Sequence, residues 1–163
     1  MNRMVILLAA VFLIFIGAMS SIFVVDEREK VLVLQFGRVV ATKEDPGLSF
    51  KIPIIQNVVR YDDRILSRDI DPLEVTPLDD RRLVVDAFAR YRIIDVNKFR
   101  EVTGASGDTA ISIAGTRLDR ILSSQTREIL GSVSSNNILS QDRFALMLRI
   151  RNGAILEAEK MGI

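Results

Sequence analysis

The side chains able to do covalent or acid–base chemistry are few. The 163 residues hold no histidine and no cysteine, so the usual general base, the thiolate nucleophile and the imidazole or thiolate metal ligand are all missing. Ser-His-Asp and Cys-His machinery is excluded with them. What remains is two pairs of adjacent carboxylates, Asp62-Asp63 and Asp79-Asp80, a Ser49/Lys51 pair, and a G-x-x-G within "TGASGD", Thr103 to Asp108. Adjacent strand residues point to opposite faces and each carboxylate pair has an arginine close by, so both pairs read as turn and surface charge. Ser49 and Lys51 share a strand face as a hydrolytic dyad would. No oxyanion hole or buried lysine accompanies them, and the polar side of an amphipathic ribbon accounts for both. The two glycines lack the lysine and basic surroundings of a phosphate or nucleotide clamp; a helix stop followed by a helix cap explains them. The expectation is a protein that is not an enzyme, with no catalytic, cofactor-binding or metal residues.

The elements that would have to position any site begin with an apolar run. Met4 to Val25 carries no charge and is mostly Val, Ile, Leu and Phe. As a helix it would reach ~33 Å, against a bilayer hydrocarbon core of ~30 Å. Ala18-Met19-Ser20 offers small residues of the kind a signal peptidase reads, but the run continues through Ile22-Phe23-Val24-Val25 and outlasts a cleavable core. A retained transmembrane anchor over residues 1–25 is expected. Charge does not orient it: Arg3 and the α-amino group stand on one side, "DEREK" (Asp26 to Lys30) on the other, and Lys and Arg alone give no winner. Past the anchor, the 22 basic residues less Arg3 balance the 21 acidic ones. Nucleic-acid binding needs a clustered positive excess that such a chain lacks.

"KVLVLQFGRVV" (Lys30 to Val40) reads as a strand with a bulge or bend at Gly37. A Pro46-Gly47 turn then opens a second ribbon, where Leu48, Phe50, Ile52 and Ile54 alternate with Ser49 and Lys51 and Pro53 confines the strand to a sheet edge. The pattern continues in "NVVRYDDRI" (Asn57 to Ile65) and "LEVT" (Leu73 to Thr76). In the longest strand, Leu83 to Ile94, one face is apolar (Leu83, Val85, Ala87, Ala89, Tyr91, Ile93) and the other mixed. From Asp95 the period becomes helical. Asp95 and Gly104 bound a short helix carrying Val96, Phe99 and Val102. Asp108 caps a longer one up to Gly131, with Ile111, Ala114, Leu118, Ile121, Leu122, Gln125 and Ile129 as its stripe. The polar "SVSSNN" separates it from a last helix, capped by Ser140 and lined on one side by Phe144, Met147, Leu148, Ala154, Ile155, Ala158 and Met161. Strands first and helices after predict an α+β chain: the anchor, a mostly β subdomain over 26–94 and a mostly helical one over 95–163.

Taken together, "FVVDEREKVLVLQFGRVV", "DPGLSFKIPIIQNVVRYDDRI", "LVVDAFARYRIIDVNKF", "SSQTREILG" and "DRFALMLRIRNGAILEAEKMGI" resemble the stomatin/prohibitin/flotillin/HflK-HflC superfamily, whose common unit is the SPFH or band-7 domain. The resemblance covers essentially the whole chain. It implies a single-pass protein of the bacterial inner membrane, N-terminus cytoplasmic and domain periplasmic, acting as a scaffold and not as a protease. The implied partners are the lipid bilayer, an HflK-like paralogue in a large hetero-oligomeric ring, and an FtsH-type AAA protease whose degradation of membrane proteins the ring modulates. The alternative is a stomatin-like organiser of lipid domains, or a channel partner without a protease link. The family also lays its first subdomain against the bilayer, which makes Leu48, Phe50, Ile52, Ile54 and Ile55 candidate membrane-interface residues. After "KMGI" the family pattern runs on into a further strand, a coiled-coil helix and an apolar segment, so the second subdomain is expected to be truncated before its last strand.

Overall fold

The computed structural model describes residues 3–140 and 143–163. The chain divides into two compact units after Asp63. The first opens with α1 (Arg3–Ser21), which runs directly into β1 (Ile22–Val25). The expected anchor over 1–25 is therefore too long at its C-terminal end, because Ile22–Val25 leave the helix to pair antiparallel with β4 (Gly47–Phe50). The 19 residues of α1 correspond to ~28 Å of helix. Many of its side chains lie outside the described set, and among the described residues no helix is long and apolar enough to cross a membrane.

A three-stranded antiparallel sheet, β2 (Glu29–Gln35), β3 (Arg38–Lys43) and β5 (Gln56–Asp62), in the order β3-β2-β5, completes the unit. The run from Lys30 to Val40 is thus a hairpin and not one strand. Phe36 and Gly37 both take positive φ, 51° and 82°, the backbone of the two-residue turns that match strand twist. The ladder irregularity falls between Val33 and Leu34, not at Gly37. Val31 and Val33 of the central strand pack on Phe23 and Val25 of β1, with Ala41 and Val58 alongside. Each such side chain contributes ~1.5–3 kcal/mol on full burial.

The second unit pairs β6 (Leu66–Val75) with β7 (Leu83–Tyr91) and backs them with α2 (Val96–Thr103), α3 (Gly107–Gly131), α4 (Ser135–Leu139), α5 (Arg143–Ala158) and a 3₁₀ turn, Glu159–Met161. The period change at 94/95 marks where strands give way to helices. The packing break comes earlier, since the hairpin shares a core with the helices: Leu73 and Val75 meet Ile129, Leu130, Ile138, Leu146 and Ile150.

Asp95 caps α2 by accepting from the Asn97 and Lys98 N–H groups, and Gly104 ends it in the left-handed conformation. Helix α3, by contrast, begins at Gly107 after Ser106. Asp108 sits inside its first turn, where a carboxylate faces the positive end of the helix. The polar "SVSSNN" stretch is not a plain linker, because Asp79 accepts from both the backbone N–H (3.0 Å) and the hydroxyl of Ser135 and organises α4 there. Ser140 closes α4; the residues joining it to α5 lie outside the described set. On α5 the buried stripe is Leu146, Ile150, Ala154 and Ala158, while Phe144 is exposed. Of the expected stripe Ala154, Ala158 and Met161 are buried, while Met147, Leu148 and Ile155 are exposed with Phe144; apolar residues lie on more than one side of this helix, so spacing alone does not select Leu146 and Ile150.

Two further contacts set the second unit's geometry. Arg68 of β6 grips Asp119 of α3 through both carboxylate oxygens, Nε to Oδ1 at 2.9 Å and Nη2 to Oδ2 at 2.6 Å, with the guanidinium lying beside Gly115. Exposed pairs of this kind add little stability, but the planar fork fixes orientation. At the other end, the Gly162 carbonyl accepts from the N–H groups of Ile94 (2.9 Å) and Asp95 (3.1 Å). Gly162 has φ 78°, and a Cβ there would lie 2.3 Å from the Asp95 carbonyl oxygen.

Gly162→Ala should therefore destabilise the second unit by ~2 kcal/mol or more, read as a lower urea midpoint, because both the φ and the clash with fixed backbone oppose the new methyl. Asp79 gives a pH signature. Its hydrogen bonds from the Ser135 hydroxyl and then the Ser135 N–H hold its carboxyl below the usual carboxylate range. A depressed carboxylate stabilises the fold above its unfolded pKa of ~3.9 and loses that contribution as pH falls through the folded value. Urea midpoints measured from pH 6 downward should fall less steeply in Asp79→Asn than in the parent chain.

Candidate functional site: an apolar face on the first unit

The join between α1 and β1 is stapled by β4's exit. The Lys51 N–H donates to the Ser21 carbonyl at 2.8 Å, which satisfies one of the carbonyls a helix leaves open at its C-terminus. The Ser21 hydroxyl in turn donates to the Lys51 carbonyl at 2.5 Å. From there the register runs Ile22↔Phe50, Phe23↔Ser49, Val24↔Leu48 and Val25↔Gly47.

Strand alternation does the rest. Phe23 and Val25 point inward, at 8% and 2% exposure, while Ile22, Val24, Leu48 and Phe50 stand on the opposite face at 45%, 57%, 71% and 72%. Directly opposed residues share a face. The outward side of this ribbon is thus apolar across both strands, although it faces solvent. Beyond β4 the chain turns through residues 53–55, with Ile52, Ile54 and Ile55 exposed.

The turn is under strain and is clamped. Ile54 has φ 74°, a left-handed conformation that a β-branched residue rarely adopts. Gln56 holds both ends: its side-chain oxygen accepts from the Ile52 N–H at 2.8 Å and its own N–H donates to the Ile52 carbonyl at 3.0 Å. On the helical side of the join, Phe15, Ile16 and Met19 are also exposed.

All five candidate interface residues are therefore on the surface and none fills the core of the unit. The structure adds Ile22 and Val24 to them. Those two were hidden by their membership in the N-terminal apolar run; the cue was that "IFVV" and "GLSF" have equal length and matching alternation.

The carboxylate candidates take part in turns, caps and ion pairs. Among the described residues no group of three or more His, Cys, Asp or Glu is placed to hold a metal ion. Asp63 pairs with Lys30 at 3.3 Å. Asp79 caps α4, and Asp80 takes the positive φ of a turn, 56°.

An α+β chain of two units with an exposed apolar ribbon following a helix defines a structural class, and the sequence comparison supplies its family. Residues 23–163 match the "SPFH domain / Band 7 family", and the chain belongs to that family. Among curated proteins it is similar to the "Modulator of FtsH protease HflC" of Escherichia coli strain K12, 31% identical over 151 residues, 89% of this chain and 44% of that protein. Similar relatives are "Protein HflC" of Buchnera aphidicola subsp. Schizaphis graminum, 32% identical over 149 residues (88% and 47%), and of Vibrio cholerae, 28% over 148 residues (87% and 44%). The chain spans about half the length of the curated relatives it matches.

Because their side chains are already in water, Phe50→Asp and Leu48→Asp should leave the unfolding free energy from urea titration within ~0.5 kcal/mol of the parent. Ile54→Gly should raise it by ~1 kcal/mol by removing the left-handed strain. A collapse of the fold in either aspartate variant would show that the ribbon is core.

Proposed function

We propose that this chain is a membrane-anchored scaffold subunit, without catalysis of its own, that modulates an FtsH-type AAA protease together with an HflK-like paralogue. The observation that carries the membrane part is the outward face of Ile22, Val24, Leu48 and Phe50, continuous in sequence with an α1 that carries no charge after Arg3. Apolar surface of this kind in a folded domain marks an interaction site. A strand pair that begins where the helix ends supports the reading that such side chains lie at the interfacial depth beside the anchor. Phe50, with the isoleucines at 52, 54 and 55, supplies side chains of the size that bind bilayer interfaces. On this reading α1 crosses the bacterial inner membrane once, N-terminus cytoplasmic, and the strands of the first unit and the whole of the second lie in the periplasm.

The protease part rests on family membership and on the printed function of the Escherichia coli relative, a modulator of FtsH protease. It fits a chain whose polar clusters serve as caps and ion pairs. A scaffold acts by occupying surface around the protease and so controlling which membrane proteins reach it; it needs no nucleophile.

The chain has no tryptophan, so Phe50→Trp installs a single reporter. In liposomes containing brominated lipid its fluorescence should be strongly quenched, while Phe88→Trp, placed on an exposed strand of the second unit, should be quenched weakly; equal, weak quenching at both sites would remove the interface assignment. Affinity purification of the tagged chain from mild-detergent extracts should bring down an AAA protease and an HflK-like protein. Recovery of lipid alone, with neither protein, would favour a stomatin-like lipid organiser instead.

A further inference from the structure

The strands of the first unit run between two ends of opposite character. α1 joins at one of them, where Ser21 bonds to Lys51 and Ile22 pairs with Phe50. β4 leaves that end into the 52–55 turn, and β5 starts from it at Gln56, which pairs with Gln35, the last residue of β2. The Phe36-Gly37 reversal between β2 and β3 therefore sits beside the 52–55 turn, and the Gln56 side-chain amide donates across to Oε1 of Gln35 at 3.5 Å. The far end holds the reversal at 26–28, Glu44-Asp45, and the exit of the chain through Asp62-Asp63.

Charge divides in the same way. Every carboxylate of the unit lies at the far end, where Lys30 pairs with Asp63 at 3.3 Å and Arg60 with Glu29 at 2.9 Å. At the end shared with α1 the charged side chains are Arg38 and Lys51, both cationic. Seven-residue strands separate the two ends, a distance of about 20 Å.

Backbone strain follows the same division. Among the described residues of this unit, the non-glycine residues with positive φ are Phe36 (51°) and Ile54 (74°), one in each reversal at the end shared with α1. Glycine or asparagine takes such a conformation at lower cost. Neither side chain contributes to the core, since Phe36 is 85% exposed and Ile54 fully exposed. A large apolar group held in a strained backbone and in water is explained by what it meets outside the fold.

We propose that the Phe36-Gly37 tip is a second lipid-contacting element, set into the bilayer interface beside the 52–55 turn, and that Arg38 and Lys51 make this end of the unit select acidic phospholipid. The inference rests on the membrane reading of the first unit and extends it to a second reversal and to a lipid class. Phe36 supplies an aromatic side chain at headgroup depth, and the two cations meet headgroup phosphate. The carboxylates, which acidic lipid would repel, are held at the other end of the strands.

The test uses the intact chain reconstituted in vesicles and, because it has no tryptophan, one introduced tryptophan at a time, with urea titration to show that each variant is folded. Vesicles of phosphatidylglycerol and phosphatidylcholine in equal parts are made twice, with bromine on the acyl chains of one lipid and then of the other. Phe36→Trp should be quenched as strongly as Phe50→Trp, and ~twofold or more better when the acidic lipid carries the bromine. Glu27→Trp, in the reversal at the far end, should be quenched weakly in both. Adding Arg38→Gln and Lys51→Gln should abolish the preference for the acidic lipid. Strong quenching of Phe50→Trp without quenching of Phe36→Trp would overturn this inference and leave the membrane reading standing; weak quenching of both would remove the two together. Blue-shifted but unquenched emission from Phe36→Trp would assign the tip to a protein surface and overturn the inference. Equal quenching by the two brominated lipids, or a preference that survives the glutamine pair, would overturn it equally.

Discussion

The antiparallel pairing of Ile22–Val25 with Gly47–Phe50 is the constraint on which the first unit depends. Every backbone amide and carbonyl removed from water must find a partner, and these residues could find theirs either by prolonging α1 or by joining a strand. Choosing the strand changes the period from 3.6 to 2. That change turns a uniformly apolar sequence into two opposite faces: Phe23 and Val25 close the core over Val31 and Val33, and Ile22 and Val24 are turned out beside Leu48 and Phe50. The core and the exposed ribbon are two consequences of one hydrogen-bond ladder. No substitution on the outer face needs to disturb the inner one, so the exposed apolar surface can vary without loss of the fold.

The parts of the structure that were legible in the sequence are those where local chemistry decides. Asp95 caps α2 and Gly104 ends it because a short carboxylate and a residue free to take positive φ do these jobs with little help from elsewhere. The alternation of β7 was readable because its inner face is apolar throughout and Asp86 and Arg90 mark the outer one. The α+β order followed from period alone, and the quoted stretches pointed to the band-7 family that residues 23–163 match. Leu48, Phe50, Ile52 and Ile54 were legible as an alternating ribbon. Whether that ribbon faced core or solvent was not, because both choices produce the same pattern.

What could not be read depends on partners distant in sequence. Nothing in "SVSSNN" announces α4, since its ordering group is Asp79, 56 positions away. The end of α1 is equally hidden, because Ile22–Val25 suit a helix in lipid as well as a strand, and only β4 decides between them. Phe36 conceals a turn: a bulky aromatic with positive φ is a poor hairpin signal beside the usual asparagine, and the hairpin forms because β2 and β3 pair on either side of it. On α5 the many apolar residues leave the buried stripe undetermined until α3 and the β6–β7 hairpin choose it.

The docking of Gly162 onto the start of α2 also governs the order in which the molecule can be made. The first unit is closed entirely by segments within its own opening stretch of chain, so its contacts are available while the remainder is still being synthesised. The second unit is not. The amides of Ile94 and Asp95 wait for a carbonyl that lies 68 positions or so downstream, and until it emerges from the ribosome the helical part has its N-terminal cap but lacks its clasp. During that interval the first unit has all of its own contacts, with its apolar ribbon exposed, while the second is open. Synthesis thus lets the first unit close before the second.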